Sequence, residues 1–111
     1  MSGEGLIAEP RAVHGASDSR VGHSRLKELM HRGTEFLGCD VAIMGGAMSW
    51  VSERHLVSAI SNTGGFGVIA CGAMSPELLD TEIAETKVRT SRPFGVNLIT
   101  MHPDLRALID V

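Results

Sequence analysis

The chain has 111 residues, 43% hydrophobic and 21% charged, which bounds it to one domain at most and argues against a fully disordered chain. Ten Lys and Arg against 13 Asp and Glu give a formal charge of −3; the basic residues are scattered, so no stripe points to nucleic acid. Aromatic residues make up 4% with no Tyr, and no apolar run approaches the roughly 20 residues of a membrane helix, so neither a base-stacking surface nor a membrane span is expected.

Residues 1–23 carry Gly, Ser and mixed charge without a sustained period, and are expected to be a mobile tail. Residues 24–111 form the expected folded part. Leu26, Leu29 and Met30 fall at i, i+3, i+4, so a short helix starts at Ser24, with Gly33 placed to close it in a left-handed conformation. Residues 34–37 read as extended, and Gly38 as a turn. Val41-Ala42-Ile43-Met44 is a continuous apolar run, as in a strand buried on both faces, and Gly45-Gly46 ends it.

Ser52 can cap the next helix, with Leu56, Ala59 and Ile60 on its inner face, and Asn62-Thr63-Gly64-Gly65 stops it. Residues 66–70 read as a second buried strand. Ser75-Pro76-Glu77 starts a helix, because Ser caps and Pro fits the first helical position. Leu79, Ile83, Ala84 and Val88 line its inner side. Arg92-Pro93 ends that segment, and residues 94–99 read as a third strand. His102-Pro103-Asp104 opens a last helix with Leu105, Leu108 and Ile109 inward.

Strand and helix alternate three times, which is the pattern of a parallel α/β fold. Ile43-Met44-Gly45-Gly46-Ala47-Met48-Ser49 and Ile69-Ala70-Cys71-Gly72-Ala73-Met74-Ser75 agree at five of seven positions, 26 residues apart. Each copy leads from a strand end into a loop before a helix, as in stacked βα units of a barrel.

Sites in parallel α/β folds form at the carboxyl ends of strands, so three loops are candidates: residues 45–51, 71–75 and 97–102. Gly45-Gly46 would let a flat ligand approach the backbone, and Met48 is soft enough to lie by an aromatic ring; a tight turn with Met48 and Trp50 in the core is the other reading. No Lys-Ser or Lys-Thr follows these glycines, so this is not a phosphate loop. Gly64-Gly65-Phe66-Gly67 precedes a strand and reads as structural. Asn97 is polar inside an apolar strand; it either bonds neighbouring backbone or contacts a ligand. The five histidines form no metal-like pair, and none is an evident general base. Cys39 and Cys71 read as small buried thiols in a reducing cytosol, with a reactive thiol as the alternative.

The stretch Leu37-Gly38-Cys39-Asp40-Val41-Ala42-Ile43-Met44-Gly45-Gly46-Ala47-Met48-Ser49-Trp50-Val51 resembles the opening of the nitronate monooxygenases, formerly 2-nitropropane dioxygenases. The resemblance continues through Ser61-Asn62-Thr63-Gly64-Gly65-Phe66-Gly67-Val68-Ile69, Met74-Ser75-Pro76-Glu77-Leu78 and Arg92-Pro93-Phe94-Gly95-Val96-Asn97-Leu98. It implies the N-terminal (βα)3 portion of a TIM (β/α)8 barrel that binds FMN and oxidises alkyl nitronates with O₂ to carbonyl compounds and nitrite. By resemblance, Gly46, Ala47 and Met48 lie against the isoalloxazine ring and Asn97 hydrogen-bonds the flavin. Many relatives carry Gln where this chain has Gly45, so that side-chain contact is missing here.

A complete barrel takes about 250 residues. The family's flavin-phosphate loops and catalytic histidine lie beyond the third unit, so no catalytic residue carries over. The expectation is an N-terminal piece of a longer enzyme that by itself neither grips FMN nor oxidises nitronates. Flavin-dependent enoyl-ACP reductases and NAD(P)H:quinone reductases share the barrel and are the alternative enzymes. A non-catalytic remnant that associates with other chains through its open sheet edges is the alternative outside enzymes.

Overall fold

Leu26, Leu29 and Met30 do lie on a helix, but a longer one: α1 spans Asp18–Leu37. Residues 18–111 are described in this computed structural model, with side chains from Ser24 onward. The expected tail at 1–23 lies outside the described residues except for positions 18–23, which are helical. Gly33 does not end α1, and residues 34–37 are helical rather than extended. A Cβ on Gly33 would come within 2.7 Å of Ala42 Cβ, so this glycine lets the helix lie close to the following segment. The left-handed position is Gly38, at φ 66°, one residue past the helix.

The remaining elements are α2 (Arg54–Asn62), β1 (Gly67–Ala70), α3 (Pro76–Arg89), β2 (Phe94–Asn97) and α4 (Leu105–Asp110). β1 and β2 pair in parallel, with Gly67 opposite Phe94 and Ala70 opposite Asn97. Residues 41–44, expected as the first strand, join them through a single parallel bridge, Met44 to Phe66. The Ile43 amide donates to Val41 O at 2.7 Å, a local bond across one residue that bends the chain out of a continuous ladder. The direction is still parallel, because Phe66 N donates to Ile43 O and Gly45 N to Phe66 O. Ile43 and Met44 are exposed rather than buried on both faces.

Side chains alternate along β1 and β2, so the sheet has two different faces. Ile69, Cys71, Phe94, Val96 and Leu98 face the helices, where Val57, Met74, Leu79 and Leu108 complete the core. Burying Ile69 or Leu79 stabilises the fold by about 1.5–3 kcal/mol each. The opposite face carries Phe66, Val68, Ala70, Gly95 and Asn97, outside the helix-packed core. Such an arrangement, helices outside and a second sheet face inside, is that of consecutive units of a barrel wall.

Two helices present different faces from those the hydrophobic spacing implies. On α2 the buried residues are Val57, Ser58 and Ser61, not Leu56, Ala59 and Ile60. The reason is close approach: a Cβ on Gly67 would strike the Val57 backbone, so only small groups fit where α2 meets β1. Ser61 Oγ accepts from Gly67 N at 3.2 Å and donates to Pro93 O at 3.0 Å, tying α2 to the starts of both strands. On α3, Leu79 is buried and Ile83 packs on the core, but Ala84 and Val88 point to solvent. Their expected places are taken by Glu82 and Thr86, both buried. In α4 Leu108 is buried while Ile109 is exposed.

Candidate functional site

The two copies of the heptapeptide meet different fates. In the second, Met74 enters the core and Ser75 caps α3, its Oγ accepting from Leu78 N at 3.3 Å. That is the cap expected from sequence. In the first copy α2 does not begin until Arg54, so Met48 and Ser49 stay out on the loop. Met48 is 50% exposed and Trp50 73%, which removes the reading that places them in the core. Trp50 adopts φ 64°, a left-handed conformation uncommon outside glycine.

Gly45 and Gly46 serve different ends. A Cβ on Gly45 would lie 2.5 Å from Ile60 Cδ1, so packing against α2 demands glycine there. A Cβ on Gly46 would meet no atom within 4 Å. Nothing internal needs glycine at 46, while the bare backbone leaves room for a flat group from outside. Gly46, Ala47 and Met48 are all exposed.

Asn97 ends β2 on the sheet face opposite the helices. Its side chain is exposed and makes no hydrogen bond among the described residues, so the amide is open to a ligand. Its carbonyl accepts from Cys71 N at 3.4 Å, joining the second and third loops. Gly72 is where all three loops meet: a Cβ there would lie 2.5 Å from Ile99 Cδ1 and 3.7 Å from Ser49 Oγ. The loops carrying Gly46, Ala47 and Met48, and the strand end carrying Asn97, therefore share one rim. His102 stands at that rim as a turn residue, its Nδ1 accepting from Asp104 N at 3.0 Å.

Residues 45–52, 71–76 and 97–103 contain no Asp, Glu, Lys or Arg. This rim is uncharged, with two exposed methionines, Met48 and Met101, and an open amide. It is suited to an uncharged aromatic ring and offers no Lys or Arg to a phosphate. No group of residues that could hold a metal ion occurs among the described residues. A groove of about 550 Å³ lies elsewhere, between α1 and residues 39–41, ahead of the first parallel segment and away from the rim.

Ser52 was expected to cap α2. The cap is Glu53, whose carboxylate accepts from His55 N and Leu56 N at 3.1 and 3.3 Å. Ser52 is instead buried and bonded to the loop before it. No spacing rule separates these two roles, since Ser at a helix start suits both. Cys39 and Cys71 are free and buried, and burial pushes the Cys71 thiol up from its ordinary pKa. No helix among the described residues is long and apolar enough to cross a membrane.

The sequence profile of the nitronate monooxygenase family matches residues 31–109. A Mycobacterium tuberculosis protein named (3aS,4S,5R,7aS)-5-hydroxy-7a-methyl-1-oxo-octahydro-1H-indene-4-carboxyl-CoA dehydrogenase is 38% identical over 65 residues, 59% of this chain and 18% of its own. Nitronate monooxygenase of Paraburkholderia phytofirmans is 36% identical over 67 residues, 60% of this chain and 18% of its own. Among solved structures, FabK from Thermotoga maritima superposes with a TM-score of 0.69 at 38% identity, covering 71% of this chain and 25% of that one. The chain thus spans about a fifth of the length of these curated relatives. Its parallel βα units are a portion of a TIM barrel, and the chain belongs to the nitronate monooxygenase family.

Proposed function

We propose that this chain forms the ring-facing part of an FMN-dependent oxidoreductase of the nitronate monooxygenase type, which oxidises alkyl nitronates with O₂ to carbonyl compounds and nitrite. The observation that carries the reading is Gly46, an exposed glycine with open space around it at the C-terminal rim of a barrel wall. Gly46, Ala47 and Met48 would lie against the flavin ring, and the Asn97 amide would hydrogen-bond its polar edge. Bound flavin would supply the electron-accepting group and the reaction with O₂. The chain's own contribution is to bind and orient the ring on an uncharged surface. The FMN phosphate needs backbone N–H groups at a helix N-terminus, and the glycine cluster at 64–67 leads into β1 instead. The free buried thiols support a cytosolic location, and the open sheet edges support association with further strands, in this chain or another.

Titration of the chain with FMN and with riboflavin, read by flavin fluorescence, tests the ring site. Both should bind alike and weakly, with a Kd of roughly 10⁻⁴ M, because ring contacts are made and phosphate contacts are not. No binding of either would contradict the site; submicromolar FMN binding with weak riboflavin binding would contradict the missing phosphate grip. Protein purified from its native host tests the reaction. Nitrite release from an alkyl nitronate supports the monooxygenase reading. A second reading, oxidation or reduction of a CoA thioester on the same rim, is favoured by the 38% identity to the CoA-ester dehydrogenase. Turnover of such a thioester without nitrite release would establish it instead.

A further inference from the structure

Ser52 makes four hydrogen bonds at the junction of the first rim loop and α2. Its hydroxyl donates to Gly46 O and accepts from Met48 N, both at 2.9 Å. Its amide donates to Met48 O at 2.8 Å, and its carbonyl accepts from Ala70 N, at the end of β1, at 3.0 Å. The residue is only 3% exposed. Two residues on, Arg54 N donates to the buried Glu82 at 2.9 Å, so α3 fixes the same junction from behind.

Three of the four Ser52 bonds fall on the two residues that bracket Ala47. Gly46 is held by its carbonyl, and Met48 by both its amide and its carbonyl. Trp50 lies within the loop that Ser52 closes, and its left-handed backbone is a conformation that persists only where its surroundings impose it. Apart from the bond from Val51 N to Met48 O at 3.0 Å, the hydrogen bonds on residues 46 and 48 all come from Ser52.

We propose that Ser52 is a positioning residue: its hydroxyl sets the shape of the 46–50 loop and thereby the surface offered to the ring. The ring part of this inference rests on the flavin reading above. Without the hydroxyl, Gly46 O and Met48 N turn to water, because both lie near the surface. The chain then keeps its core and loses the fixed loop.

Trp50 is the only tryptophan of the chain and sits in that loop, so its fluorescence anisotropy reports loop order with no ligand present. In the unsubstituted chain Trp50 should tumble with the whole protein. Ser52→Ala should add a fast local component and weaken riboflavin binding roughly tenfold, about 1.4 kcal/mol, while circular dichroism stays unchanged. Ser52→Thr, which keeps the hydroxyl, should restore both. Unchanged anisotropy and affinity in Ser52→Ala would overturn the proposal. Should that variant fail to fold, amide exchange in the unsubstituted chain decides: a Met48 amide much slower than the Ala47 amide supports the clamp, and equal rates overturn it. If riboflavin does not bind the unsubstituted chain, the flavin reading fails, and a fall in Trp50 anisotropy in Ser52→Ala still upholds the loop-setting role.

Discussion

A Cβ at position 45 would meet Ile60 at 2.5 Å, and one at position 46 would meet nothing within 4 Å. Gly45→Val should therefore overpack the contact with α2 and cost about 1–3 kcal/mol in a denaturant melt. Gly46→Val should leave that melt within about 0.5 kcal/mol, as for a surface site, yet abolish riboflavin binding by filling the approach to the backbone. The opposite order, or equal effects, would remove Gly46 from the site. The two thiols give a second test at this scale. Cys39 and Cys71 are buried, and Cys71 is pushed toward the protonated form. A thiol reagent at neutral pH should react with neither in the native chain and with both in denaturant, because the thiolate is the reactive form. Fast native labelling of Cys71 would contradict its place in the core.

Helices α2 and α3 are joined by one buried carboxylate. Glu82 accepts from Arg54 N at 2.9 Å, from Arg54 Nε at 3.0 Å and from the Arg54 terminal nitrogen at 2.5 Å. These hydrogen bonds hold Glu82 below the ordinary carboxylate range against the opposing effect of burial. A folded pKa below the unfolded one stabilises the ionised, folded form. That contribution is complete above the unfolded glutamate value and is lost as pH falls through the folded value, so the loss begins below about pH 4.3. Glu82→Gln should cost about 1.5–3 kcal/mol at neutral pH and flatten this acid limb of the stability curve. Glu85, half-exposed, paired with Arg89 on the same helix and 3.8 Å from Arg54, should matter less when changed to Gln. An unaltered acid limb in Glu82→Gln would show that the pair does not join the helices.

The buried Glu82 also marks where sequence reasoning stops. Ser75-Pro76 and the stop at Gly64 are local signals, each set by the backbone needs of one or two residues, and both stand where expected. Which face of α3 turns inward is not local. Hydrophobic spacing favours Ala84 and Val88, but the ion pair to Arg54 and the bond from Thr86 Oγ1 to Glu82 O let polar residues occupy the buried face. Ser52 posed the same problem in miniature, since its hydroxyl could serve the helix after it or the loop before it. The first parallel segment was legible in direction but not in regularity, because the turn at residues 41–43 depends on backbone geometry. Gly46 and Met48 were readable as a rim because the repeat places them after a strand end. That Met48 stays exposed while its counterpart Met74 is buried follows from the later start of α2.

Three loops meet at Gly72 on one end of the parallel sheet, and the sheet face leading to that rim lies away from the helix-packed core. The central claim is that this rim holds the flavin ring. Amide and side-chain resonances of the chain, followed by NMR during a riboflavin titration, address it most directly. The account predicts progressive shifts at Gly46, Ala47, Met48, the Trp50 indole and the Asn97 side-chain amide, with the α1 groove around Met30 and His31 unmoved. Shifts confined to that groove, or no shifts at the rim at saturating riboflavin, would contradict it.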